Sequence, residues 1–295
     1  LGRAGALALA PALLLVDRDP GLERAALVEV ASWAARFTPS ISLDSSDVPA
    51  LVDAKKKEQQ SFLEAITPIA IKHNVAVYSK LKAAFRVEEG IFSELSRHKD
   101  VNLVMLGYPQ DHSKVERPNN VLKEVMMMAN RNVAVLRDSG LPDPIRRILV
   151  PVGSGPNARL ALQMARDIIL PDDTGEIVAL RLVRGEVDEE RLEDEELQVH
   201  EIVEQEVDGI SSVFKFKVRT TDSIADGILA ECQEGGYDLM IIGAAEEVLA
   251  PEQIFGRLDD YLMEVVPCSM MVVRRYQTGG ALWMRKQIKR IEQRT

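Results

Sequence analysis

Two stretches of this chain repeat one pattern. Residues 101–138 read VNLVMLGYPQDHSKVERPNNVLKEVMMMANRNVAVLRD, and residues 237–274 read YDLMIIGAAEEVLAPEQIFGRLDDYLMEVVPCSMMVVR. Each has a short apolar run ending in glycine (Gly107, Gly243), a polar loop, an amphipathic stretch and a second apolar run closing on a basic residue. The separation is about 136 residues, the size of a domain, so the pattern implies two copies of one α/β unit rather than a solenoid.

The segment Asp138–Pro144 (DSGLPDP) carries two prolines and a glycine between periodic segments and reads as a linker. It divides the chain into a first domain over 1–138, a linker over 139–145, a second domain over 146–275 and a tail over 276–295. In the first domain apolar runs at Ala12–Val16, Ser40–Leu43, Val75–Tyr78, Asn102–Leu106 and Asn132–Leu136 predict strands. Helix-period segments separate them: Gly21–Phe37, Val48–Lys72, Val87–His98 and Pro118–Ala129. The second domain repeats the order, with strands expected at Ile148–Val152, Glu176–Leu182, Ser212–Arg219, Leu239–Ile242 and Ser269–Val273. Strands alternating with helices, joined by right-handed crossovers, imply parallel sheets covered on both faces. The expected fold class is therefore α/β, with two doubly wound five-stranded parallel sheets of order 3-2-1-4-5 that meet through their last strands. In such sheets a ligand sits beyond the carboxyl ends of the strands, at the switch point. The loops so placed are Asp17–Gly21, Gly107–Asn120, Gly153–Asn157 and Gly243–Gly256.

At 295 residues the chain can bury two cores of ordinary size. A net charge of −10 argues against nucleic acid as a partner. Cys232 and Cys268, the only cysteines, are too few and too far apart in sequence for a disulfide framework or a zinc site, and a reducing cytoplasmic setting is the natural reading. No run approaches the ~20 apolar residues of a membrane span, and LGRAGALALAPALLLV lacks the layout of a signal peptide. The acidic stretch Glu186–Asp208, with Leu192, Leu197, Ile202 and Val207 as a thin apolar stripe, reads as a solvated amphipathic helix; it lacks the spacing of a calcium loop. Met126, Met127 and Met128 sit on an expected helix, where only part of the run can face a core.

The second half resembles the universal stress protein domain. ILVPVGSGPNARLALQMA (Ile148–Ala165) is similar to that family's first strand, loop and helix, and PCSMMVVR (Pro267–Arg274) to its closing strand. The spacing from Gly243 to Gly256 is similar to the family's nucleotide loop. The first half is a weaker copy, visible through register with the second. The resemblance implies an adenine-nucleotide alpha-hydrolase-like fold and ATP or AMP as the ligand. In nucleotide-binding members an Asp ending the first strand contacts the base or sugar, and the glycine loop wraps the phosphates, because glycines let backbone N–H groups approach closely. Here Gly153 stands where that Asp is expected, Glu246 replaces the middle glycine and Arg257 the terminal hydroxyl. In the first half Asp17 keeps the Asp role, but the loop retains only Gly107, with Gln110 at the middle position and Asn120 and Val121 at the end. A carboxylate in a phosphate cradle repels its ligand. The turn Gly153-Ser154-Gly155-Pro156-Asn157 reads either as an anion site at a helix start or, preferably, as a tight turn capped by Ser154 or Asn157. The candidate nucleotide residues are thus Asp17, Gly107, Gly153, Ser154, Gly155, Asn157, Gly243, Glu246, Gly256 and Arg257.

No catalytic constellation is visible. His73, His98, His112 and His200 have no serine or cysteine nucleophile elbow beside them, and Cys268 reads as a packing residue at a strand start. The tail combines Trp283, Leu282, Ile288 and Ile291 with Arg285, Lys286, Lys289, Arg290 and Arg294, a composition suited to a membrane surface or a partner, or to a charged terminus. VPVGSGPNARLAL resembles the tandem domains that form cytoplasmic parts of bacterial amino-acid permeases and related cation antiporters, and the missing initiator Met fits a piece of a longer chain. Three readings follow. The first is a non-catalytic regulatory module facing the membrane domain of the same transporter polypeptide, at the inner face of the cell membrane. The second is a free-standing tandem stress protein binding ATP or AMP, with a homodimer as its assembly. The third is a weak nucleotide-hydrolysing enzyme.

Overall fold

The computed structural model describes residues 13–14, 60–61, 64–71, 76–77, 84, 86–109, 118–169, 175–207, 212–245 and 253–277. The expected strand at Ser40–Leu43, the helix Gly21–Phe37 and the tail beyond residue 277 lie outside these. Ala76 and Val77, within the run expected as a strand at Val75–Tyr78, are described and carry no strand pairing.

The order is β1 (Leu13–Leu14), α1 (Val87–Arg97), β2 (Leu103–Gly107), α2 (Pro118–Met128), β3 (Asn132–Arg137), β4 (Arg147–Pro151), α3 (Pro156–Ile169) and β5 (Glu176–Arg184). It continues with α4 (Glu189–Glu206), β6 (Phe214–Thr221), α5 (Ile224–Gly235), β7 (Leu239–Gly243), α6 (Arg257–Val265) and β8 (Ser269–Arg274). All the described strands belong to one eight-stranded sheet of order β1-β2-β3-β8-β7-β4-β5-β6. The last strands of the two halves meet as expected, and their pairing makes one continuous sheet rather than two separate ones. Within 146–275 the strands stand in the order β6-β5-β4-β7-β8 and are all parallel. Before the linker β2 and β3 pair in parallel, but β1 runs antiparallel to β2, opposite Met105 and Leu106. The continuity comes from β3 and β8, which pair antiparallel from Val133–Arg274 to Arg137–Met270.

That junction is reciprocal. The Arg137 Nη2 at the end of β3 donates to the carbonyls of Val266 (2.6 Å) and Cys268 (2.7 Å), just past α6. Arg274, at the end of β8, donates in the same way to Ala129 (2.5 Å) and Arg131 (3.3 Å), just past α2. The Ser139 N–H donates to Ser269 Oγ and the Tyr276 N–H to Asn132 Oδ1, each binding the first residue of the opposing strand. Each partner on one side of the junction has its counterpart on the other, so the described junction is locally pseudo-twofold about the Val135–Val272 pair. The arginines serve carbonyls that a helix end leaves without intrahelical partners.

Strand alternation splits the core into two layers. On one face α3 and α4 pack Leu160, Ala161, Met164, Val199 and Val203 against Ile148, Val150, Ile177, Ala179 and Ile241. On the other, α1, α2, α5 and α6 pack Leu95, Val125, Ile228, Leu262 and Met263 against Val104, Val135, Leu149, Leu180, Met240 and Val272. Helix α4 is the acidic segment, begun by Asp188, whose carboxylate accepts from the Arg191 N–H. Its buried stripe is Val199, Val203 and Val207, four residues apart. Of the expected stripe, Val207 is buried and Ile202 is half-buried against the core, while Leu197 falls on the opposite side of the helix and is 63% exposed. Met126 is buried while Met127 and Met128 are exposed.

Candidate functional site

A cleft of about 460 Å³ opens beyond the carboxyl ends of β4, β5 and β7. This is the switch point, where β4 has β5 on one side and β7 on the other. Leu180, Leu182, Ile224, Ile228 and Leu258 form its apolar wall. Gly153, Ser154 and Gly155, between β4 and α3, line it on the other side. Added to Gly153, a Cβ would meet nothing within 4 Å, so this glycine leaves open space where the family pattern calls for a carboxylate.

Gly243 also borders the cleft, but its glycine serves packing. A Cβ there would lie 2.4 Å from the Ala158 nitrogen and from the Asn157 carbonyl carbon, so the end of β7 touches the backbone of the first turn of α3. Asn157 ties the same place together. Its Nδ2 donates to the Ala244 carbonyl (2.7 Å) and its Oδ1 accepts from the Arg275 N–H (2.8 Å), joining the ends of β7 and β8 to α3. Pro156 opens α3, the position where its missing N–H costs no hydrogen bond, and Asn157 is engaged elsewhere rather than capping the helix as expected.

The described residues of the loop between β7 and α6 make a specific arrangement. The Ala245 N–H donates to Asp259 Oδ2 (2.8 Å), a carboxylate only 1% exposed. The Ile254 and Phe255 N–H groups donate to the two oxygens of Asp260, at 3.0 and 3.1 Å. Both aspartates sit in the first turn of α6, where the helix dipole favours negative charge. Three backbone donors among the described residues of this loop are therefore bound to carboxylates of the chain itself. Gly256 begins α6 at φ +133°, a conformation that demands glycine. Arg257 follows it and is exposed. Neither lines the cleft.

Among the described residues, Arg181 is the cation that borders the cleft. The Arg181 Nε, on β5, donates to Glu195 of α4 (2.7 Å), and its Nη1 to the Val152 carbonyl (3.3 Å). Arg181, Asp259 and Asp260 were not among the residues singled out in the sequence, although a lone arginine inside the apolar run IVALRLV and an Asp pair just inside a helix start were signals. Tyr108, following Gly107, is buried with its ring 6.3 Å from Phe255. Burial, and then the charges of Glu264 and Asp260, push its hydroxyl up to about 12 against the opposing charge of Arg137. Gly107 is the buried last residue of β2. Asp17, Gln110 and Glu246 lie outside the described residues. Among the described residues, no group of three or more His, Cys, Asp and Glu side chains could hold a metal ion, and no helix is long and apolar enough to cross a membrane.

The Cys232 thiol, on α5, donates to Met240 Sδ at 3.7 Å, and Cys268, just before β8, packs against the same core cluster.

Comparison with known proteins gives a family match over part of the chain. Residues 144–274 match the universal stress protein family. A universal stress protein from Archaeoglobus fulgidus is 13% identical, with a TM-score of 0.55, over 81% of this chain and 82% of that one. The cytoplasmic domain of a prokaryotic cation chloride cotransporter is 13% identical, with a TM-score of 0.48, over 90% of this chain and 96% of that one. Among curated proteins, protein ImuB of Caulobacter vibrioides is 46% identical over 44 residues, 15% of this chain, and the chain spans only 10% of that protein's length. The family match covers residues 144–274, somewhat less than half of the chain.

Proposed function

We propose that the chain is a non-catalytic, ligand-sensing regulatory module made of two universal-stress-protein-like halves, and that its nucleotide loop has exchanged a bound polyphosphate for its own carboxylates. One observation carries this reading: the Ala245, Ile254 and Phe255 amides are spent on Asp259 and Asp260. A triphosphate would have to displace two anions from the start of α6 and lie beside them, and like charges repel strongly at contact distance. Gly153 removes the carboxylate expected at the end of β4, so the usual ribose or base contact is missing as well. The reciprocal arginines at the β3–β8 junction support the two-half reading.

What remains is an apolar wall facing a glycine-bearing turn, with Arg181 at its edge. That chemistry suits adenosine or AMP better than ATP: a flat apolar base against Leu180, Leu182 and Ile224, and at most one phosphate near the arginine. A ligand there bears on Asp259 at the start of α6, and the Val266 carbonyl just beyond that helix is held by Arg137 of the other half. Helix α6 thus provides a rigid route from cleft to junction by which occupancy would bias the fit of the two halves. The setting in a transporter polypeptide, with the membrane domain as partner, rests on the likeness of VPVGSGPNARLAL to that branch.

Thermal-shift and calorimetric titration with adenosine, AMP and ATP test the ligand reading. Stabilisation by adenosine or AMP with little response to ATP supports it, and ATP binding more tightly than AMP overturns it. The complete reading frame tests the setting: an upstream block of membrane spans supports it, and a frame opening directly before Leu1 contradicts it.

A further inference from the structure

Resting on the reading of the cleft as a site for a nucleoside or its monophosphate, we propose that the Arg181–Glu195 ion pair is a latch worked by a phosphate monoester. The phosphate takes Arg181 from Glu195 and so frees the amino-terminal half of α4. Among the described residues Arg181 is the cation on the cleft lining, so a single phosphate there has one positive partner to recruit. That partner is already engaged. Its Nε donates to Glu195 Oε2 at 2.7 Å and its Nη1 to the Val152 carbonyl, next to the Gly153 turn, at 3.3 Å. The guanidinium thus bridges the cleft edge and α4.

The two halves of α4 are held differently. Val199, Val203 and Val207 are buried, and Glu206 accepts from Arg159 (2.6 Å), Gln163 (2.9 Å) and Arg275 (3.4 Å). From Glu189 to Gln198 every residue is exposed except Leu192 and Glu195, and Leu192 belongs to neither core layer. Among the described residues the bond to Arg181 is the one side-chain hydrogen bond that ties this segment to the sheet. The segment is also dense in carboxylates. Like charges four residues apart, such as Glu189 with Glu193 and Glu190 with Asp194, weaken a helix, and Arg181 offsets that repulsion.

The exchange is feasible on both sides. The Arg181 and Glu195 side chains are 24% and 15% exposed, and a pair of that kind contributes modestly to stability. A phosphate monoester carries more negative charge than one carboxylate and has more oxygens to accept the guanidinium. Adenosine, lacking the phosphate, would fill the apolar wall and leave the latch closed. The ligand's phosphate, rather than its base, is therefore what α4 reports.

The test follows amide hydrogen exchange in peptides covering 189–198 and 199–207 of the intact chain, alone and with adenosine or AMP, beside calorimetric titration of both ligands. AMP should speed exchange in 189–198 and leave 199–207 unchanged, and adenosine should leave both unchanged. Glu195→Gln, close to isosteric on a surface helix, should exchange fast in 189–198 without ligand. It should bind AMP about fivefold more tightly and adenosine as wild type does. AMP that binds without changing exchange in 189–198, or a Glu195→Gln chain that binds AMP no more tightly, overturns the latch and leaves the ligand reading standing. A chain that binds neither adenosine nor AMP overturns the ligand reading and the latch with it.

Discussion

Replacing Gly243 with alanine separates a packing role from a phosphate-binding one. The new methyl would lie 2.4 Å from two backbone atoms of Asn157 and Ala158, where ordinary contact begins near 3.4 Å, so one element must move by about 1 Å. The obstacle is helix backbone, not the tip of a flexible side chain, so the movement has to be a slide of α3 against β7. Overpacking of this kind costs about 1–3 kcal/mol. The slide also loosens Asn157, whose bonds to Ala244 and Arg275 are worth about 0.5–1.5 kcal/mol each. Together the loss is roughly 2–6 kcal/mol, a large share of the ~5–15 kcal/mol that holds a typical domain. Urea denaturation read by circular dichroism should show a lower midpoint with an unchanged slope. Gly153→Ala, where the new methyl meets nothing, should stay within about 0.5 kcal/mol of wild type. A Gly243→Ala chain as stable as wild type would refute the packing argument.

Asn157→Ala strips the Ala244 carbonyl and the Arg275 N–H of their partner, and should cost about 1–3 kcal/mol for each group left unsatisfied, measured in the same urea assay. Arg137→Met and Arg274→Met should destabilise by similar amounts, because each clasps the helix end of the opposite half; a double mutant showing simple additivity would contradict a shared junction. Burial alone would raise the Glu231 carboxyl, but hydrogen bonds from Lys217 and Tyr237 and the Lys217 charge outweigh it and hold the group below its ordinary 4.5. Its stabilising contribution is therefore complete above that value and is lost as pH falls through the lower folded value, so Glu231→Gln should flatten the acid limb of a stability–pH profile and leave its slope above neutrality unchanged. Asp260→Ala frees the Ile254 and Phe255 amides and removes a negative charge, and should raise affinity for ATP in calorimetric titration; an unchanged affinity would show that those amides are not what excludes phosphate.

The alternation of apolar runs and helix-period segments was informative because parallel strands buried on both faces leave few other sequence patterns. The runs at Ile148–Val152 and Ser269–Val273 fall on β4 and β8, and the repeated closing arginines turn out to form the junction itself. The stripe on α4 was misread because leucine at 197 outweighed the valines in the hydropathy pattern, yet only a row with four-residue spacing can face α3. The glycines of the candidate loop were visible, but their purpose was not. Sequence spacing cannot distinguish a glycine that admits a phosphate from one that admits a helix, and Gly243 is the second kind. Asp259 and Asp260 were passed over because an acidic pair at a helix start is ordinary; only their distances to the loop amides give them meaning.

The central claim is that the loop before α6 is filled by the chain's own carboxylates. Native mass spectrometry of the purified protein, followed by denaturation to release anything bound, addresses it most directly. The account predicts no triphosphate, with the cleft empty or holding a nucleoside or nucleoside monophosphate. ATP recovered at one per chain would contradict it, because the amides assigned to Asp259 and Asp260 would then be holding phosphate.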